Sequence, residues 1–130
     1  MAEPLPEDVV RFLDSNVESI DQLEILRVLG EDPSREWAAA AIAREIQAPA
    51  AATSAHLAAL RARGLLAAET RGSDLVCRHG PTGADLVDPL LRVLQLYRER
   101  PVSMIKHVYA RAGDPLRAFA DAFRLRKEGG

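Results

Sequence analysis

Residues 39–66, AAAIAREIQAPAAATSAHLAALRARGLL, constrain the fold more tightly than any other part of the chain. Ile42, Ala43 and Ile46 recur at the spacing that places them on one side of a helix from about Ala38 to Gln47. Ala48-Pro49 breaks that helix, because proline removes an N–H and pushes the residue before it away from helical geometry. A second helix follows from about Ala50 to Arg63. Its large apolar residues are only Leu57 and Leu60, and Gly64 supplies its stop. Two extended runs, Leu65 to Thr70 and Leu75 to His79, then bracket Arg71-Gly72-Ser73-Asp74 and predict a hairpin.

The flanking segments supply further helices. Pro6 with Glu7 and Asp8 suits a helix start, with acids at the positive end of the dipole, and Val9, Val10, Phe12 and Leu13 give that helix an apolar side. Ser19-Ile20-Asp21-Gln22 predicts a capping box ahead of a helix carrying Ile20, Leu23, Leu26 and Leu29, with Gly30 as its stop. Trp37 belongs to a brief strand or helix lead-in. After Pro81, Thr82-Gly83-Ala84-Asp85 suits a cap for a helix rich in leucine that Pro89 starts or kinks. Pro101 opens another helix with Met104, Ile105, Val108 and Tyr109 on one face. Gly113-Asp114-Pro115 precedes a last stripe of Leu116, Phe119, Ala120 and Phe123. The expected architecture is mainly α with a small β-hairpin, one domain over residues 1–130: N-terminal helices to 34, a central unit over 35–80, and C-terminal helices over 81–130.

The order helix, brief strand, helix, turn, helix, hairpin is that of a winged helix. Residues 35–80 resemble the winged helix-turn-helix of MarR-type and ArsR-type bacterial regulators. The resemblance is carried by Ile42-Ala43 and Ile46, the Pro49 turn, Leu57-x-x-Leu60 and Arg63-Gly64-Leu65-Leu66. Small Ala43 lets two helices cross closely, the two leucines fill the crossing, and Gly64 allows a sharp exit into a strand. The resemblance implies a DNA-binding transcriptional regulator, a homodimer, with its second helix in the major groove and its wing on phosphate or minor groove. Carried onto this chain, the DNA-contacting candidates are Thr53, Ser54 and His56 near the helix start, Arg61 and Arg63 toward its end, and Arg71 in the wing. Arg78 and His79 are weaker candidates.

The residues themselves raise an objection. At about 100° per residue, Leu57, Leu60 and Gly64 define the buried side, and the opposite face holds Ala51, Ala52, Ala55, Ala58, Ala59 and Ala62. Base readout uses side chains that form paired hydrogen bonds, and alanine offers only contact with a thymine methyl. The flanking polar groups suit phosphates, which position a protein without specifying sequence. A second reading therefore stands open, a protein-interaction module whose face Ala52, Ala55, Ala59 and Ala62 packs on a partner.

Charge distribution bears on both readings. The formal net charge is −2, and residues 1–34 hold nine acids against two arginines, so a polyanion can approach only the later segments. The C-terminal helices carry more apolar surface than a winged-helix core uses. Leu94, Tyr97, Ile105, Tyr109, Phe119 and Phe123 are the expected self-association surface, a two-fold dimer interface.

Other chemistry finds little footing. There is no Gly-rich phosphate loop, no credible Ser/His/Asp set and no carboxylate pair on an apolar pocket, so neither an enzyme nor a catalytic residue is expected. One cysteine, Cys77, permits no internal disulfide. Cys77 and His79 share a strand face, but tetrahedral zinc needs four ligands and His56 and His107 lie on distant helices, so no metal and no cofactor is expected. The acidic start lacks a secretory signal, and no apolar run approaches the roughly 20 residues of a membrane span. A soluble cytoplasmic protein is expected.

Overall fold

A computed structural model of the chain describes residues 4–112. Six helices and three short strands follow in the order α1 (Glu7–Asn16), α2 (Ile20–Glu31), β1 (Trp37–Ala38), α3 (Ala39–Glu45), α4 (Ala50–Ala62), β2 (Leu66–Arg71), β3 (Asp74–His79), α5 (Ala84–Glu99) and α6 (Pro101–Ala112). The expected order is observed. The stripe from Leu116 to Phe123 lies outside the described residues.

Local sequence explains most boundaries. Ser19 caps α2, its side-chain oxygen accepting from the Gln22 N–H at 3.2 Å. The reciprocal arm of the expected capping box is shifted by one residue: Gln22 Oε1 accepts from the Glu18 N–H at 2.9 Å. Gln22 is buried, and its Nε2 is left to face His56 Nδ1 at 3.2 Å.

Gly30 behaves differently from expectation. It does not stop α2, which runs on to Glu31. A Cβ at this position would meet Leu94 Cδ1 at 2.5 Å. The missing side chain thus lets α5 lie close on α2, and it serves packing rather than termination. Helix α2 is also less one-sided than its spacing suggests, with Leu23, Ile25, Leu26, Val28 and Leu29 all buried. A helix apolar on most sides belongs at the centre of a fold. Here α2 is packed against by α3, α4, α5, α6 and β3.

The sheet is antiparallel, in the order β1-β3-β2. Trp37 lies opposite Cys77 on one side of β3, and Ala68 lies opposite Cys77 on the other. Trp37 and Cys77 are buried, so this face of the sheet lies on the core. The alternate residues, Glu69, Arg71, Val76 and Arg78, take the outer face.

One apolar cluster runs from Val9 through Leu23, Ile42, Leu57, Leu60, Leu66 and Leu90 to Val108. The C-terminal helices share it, and α6 is further tied to α1 by His107 Nε2 on Asp14 Oδ1 at 2.8 Å and by Arg111 donating to the Asp14 carbonyl at 2.9 Å. No helix among the described residues is long and apolar enough to cross a membrane.

Candidate nucleic-acid interface

Two helix ends built the same way frame α4. At the end of α3, the Ala48 N–H donates to the Ala43 carbonyl at 3.0 Å and the Gln47 N–H to the Arg44 carbonyl at 3.2 Å. At the end of α4, Leu65 donates to Leu60 at 3.0 Å and Gly64 to Arg61 at 2.9 Å. Both are Schellman motifs, which need a left-handed residue just past the helix. Gly64 meets that need at φ +75. Gln47 meets it at φ 57 with a full side chain, the only non-glycine among the described residues at positive φ. Pro49 then opens α4 at φ −60. The turn at Gln47–Pro49 joins α3 to α4, which pack on each other, and Gly64 turns the chain from α4 toward β2.

Leu57 and Leu60 are fully buried under α4, as expected. Ala51, Ser54, Ala55, Ala58, Arg61 and Ala62 are exposed, while Ala52 and Ala59 are half-buried on its flanks. The open strip is therefore narrower than the six-alanine face drawn from the helix period. Of the interaction-face residues, Ala55 and Ala62 stand in the open and Ala52 and Ala59 at the margin.

The arrangement of helix, strand, helix, turn, outward helix and two-stranded ribbon decides the fold. It is a winged helix-turn-helix. Solved structures share it. HlyU from Vibrio cholerae N16961, in its reduced form, superposes with a TM-score of 0.54 at 20% identity, over 71% of this chain and 88% of that one. NolR from Sinorhizobium fredii gives 0.51 at 20% identity, over 74% and 97%. A third gives 0.53 at 26% identity, over 77% and 93%: the homodimeric winged helix-turn-helix DNA-binding domain of Mb0332 from Mycobacterium bovis, a possible ArsR-family transcriptional regulator. No protein-family model matches the sequence, and no curated protein matches it.

The winged helix sorts the candidate residues by what already holds them. Thr53 is removed from the candidates: it is fully buried, and its hydroxyl donates to the Pro49 carbonyl at 2.9 Å. His56 is half-buried against α2, with Nδ1 facing Gln22 and Nε2 at 3.9 Å from Asp21 Oδ2. Arg63 reaches back to the loop between α1 and α2, where it pairs with Glu18 and donates to the Asn16 carbonyl at 3.0 Å. Arg71, at the wing tip, pairs with both Glu36 and Glu69. Ser54 and Arg61 remain exposed, with no hydrogen bond or ion pair among the described residues. The same holds for Arg44 and Arg78.

Arg44 was missed on sequence. A signal existed, since position 44 lies opposite Ile42, Ala43 and Ile46 on the helix period and so had to face out. Gln47 was missed because its conformation is a property of two helices meeting, and no local motif announces it.

The thiol is not placed for chemistry. Cys77 is fully buried, and burial pushes it up from its ordinary value, with Arg61 opposing weakly. Burial likewise lowers the His79 imidazole. Among the described residues no three His, Cys, Asp or Glu side chains gather as a metal site would require. The expected dimer surface also needs correction. Leu94 and Tyr97 lie in the chain's own core, 7% and 4% exposed, because α5 lays that face on α2. Ile105 is half-buried and packs against the same core, and Tyr109 is open. Among the described residues, the large apolar side chains left exposed are Val87 and Leu91 on α5 and Val102 and Tyr109 on α6.

Proposed function

We propose that the chain is a homodimeric winged-helix transcriptional regulator that binds DNA, with α4 in the major groove. The observation that carries the reading is that α4 exposes one side to solvent and that Arg44 on α3, Arg61 on α4 and Arg78 on β3 are exposed, none held by a carboxylate among the described residues. Their guanidinium groups suit phosphate oxygens. Ser54 adds a hydroxyl near the start of α4. The DNA-binding homodimer from Mycobacterium bovis, alike in fold, supports the same reading. The reading is of a binding protein rather than an enzyme, acting in the cytoplasm, with DNA and a second copy of itself as partners.

The alanines on the outer strip set the mode of binding. They offer methyl contact only, so sequence preference comes mainly from duplex shape and deformability. Self-association uses the exposed apolar residues of α5 and α6 rather than Leu94 and Tyr97, with each copy presenting the same patch.

A salt titration on duplex DNA tests the reading. The three arginines of each copy give six phosphate contacts per dimer and a log–log slope of about −5, and Arg61→Ala, which removes one contact per copy, flattens it by about two units. No binding at about 50 mM salt overturns the DNA reading. The protein-interaction module, with the alanine strip of α4 on a partner, is then the reading that remains.

A further inference from the structure

On the outer face of the wing, Arg71 is gripped from two elements at once. Glu69 lies two residues back on the same strand, and Glu36 comes from the lead into β1. Strand alternation places all three side chains on one face: Glu69 and Arg71 are two apart, and Glu36 precedes the core-facing Trp37. The triad carries a net negative charge and Asp74 lies directly opposite Arg71 in the register, so carboxylates outnumber guanidiniums at the tip that would meet phosphate, while Arg78 stands farther back on the same face. The groups are nonetheless accessible. The side chains of Arg71, Glu36 and Glu69 are 54%, 43% and 60% exposed. A phosphate can therefore reach the guanidinium from solvent and compete for it. Arg63 contrasts with this. It is only 27% exposed and is held by a backbone carbonyl besides Glu18, which makes it a structural tie.

We propose that Glu36 and Glu69 mask Arg71, so that the wing contributes a phosphate contact only after this carboxylate pair is displaced. The pair acts as an internal competitor that holds DNA affinity down. Any event that neutralises or removes the two carboxylates frees the Arg71 guanidinium for the backbone and moves the wing's charge two units toward positive. This inference rests on the DNA-binding reading and concerns its regulation.

The test is a double-mutant cycle on the full chain with a random-sequence duplex, read by fluorescence anisotropy over a range of salt beginning near 50 mM. The four proteins are the wild type, Glu36→Gln/Glu69→Gln, Arg71→Gln, and all three substitutions together. Unmasking predicts that Glu36→Gln/Glu69→Gln tightens binding about tenfold and steepens the salt slope by one to two units, roughly one phosphate per copy. In the Arg71→Gln background the same two substitutions then give a clearly smaller gain. An equal gain in both backgrounds overturns the masking, since it reports only the removal of negative charge, and leaves the DNA reading standing. No binding by any of the four, while all melt cooperatively, overturns both.

Discussion

Gln47 shows how one residue can carry a conformation it does not favour. The α3–α4 turn needs a left-handed residue, and Gln47 supplies it at φ 57 where Gly64 fills the matching position of the next helix. The left-handed conformation costs a residue with a Cβ about 1–2 kcal/mol. Glycine avoids that clash, though it adds freedom to the unfolded chain. Gln47→Gly is therefore expected to raise stability by about 0.5–1 kcal/mol, read as a higher denaturant midpoint at unchanged slope. A loss of stability would show that the Gln47 side chain makes a contact worth more than the strain. Gly64 is the opposite case. An added Cβ there would both strain the backbone and meet Thr82 Oγ1 at 2.6 Å.

Helix against helix, the packing of α5 on α2 has a titration signature. Tyr97 lies on α5, and its phenol is pushed from 10.0 up to about 12, first by burial and then by the nearby Glu24 carboxylate on α2. The folded chain thus holds the phenol neutral where the unfolded chain has begun to ionise it. Below pH 10 the contribution of the neutral, buried phenol is fully present, and it is lost as pH rises from 10 to about 12. Tyr97→Phe is expected to flatten the fall in unfolding free energy across that window. Denaturation curves at several pH values would measure it, and an unchanged slope in the variant would assign the fall to other groups. The same packing explains Gly30, which admits Leu94 to the surface of α2.

At the scale of the whole molecule, the apolar surface left over among the described residues is where a second copy would dock. The core absorbs Leu90, Val93, Leu94 and Tyr97 of α5 and Met104 and Val108 of α6. Val87, Leu91, Val102 and Tyr109 remain outside it, between 38% and 62% exposed. Water-facing apolar side chains of this size gain by burial against a second copy. Leu91→Glu with Tyr109→Ala is expected to shift a dimer toward monomer in sedimentation and to weaken DNA binding with it. The change in the stability of the monomer should be small, because neither side chain fills the core. A wild-type chain that stays monomeric at high concentration would remove the dimer from the functional reading.

The sequence alone determined the element order, the turn at Pro49, the exit at Gly64 and the burial of Leu57 and Leu60. These follow from hydrophobic period and from the fixed backbone preferences of proline and glycine, which act within a few residues. Tertiary structure decided which polar side chains stay free. Thr53 turns its hydroxyl back on Pro49, Arg63 is claimed by Glu18 and Asn16, and Arg71 by Glu36 and Glu69, while Arg44, Arg61 and Arg78 keep open faces. Glu36 lies far from Arg71 along the chain, and Glu18 and Asn16 farther still from Arg63, so only the packed fold brings these groups within reach. The same holds for Leu94 and Tyr97. Their stripe was legible, but whether it met the chain's own α2 or a second copy depended on how closely Gly30 allowed α5 to approach.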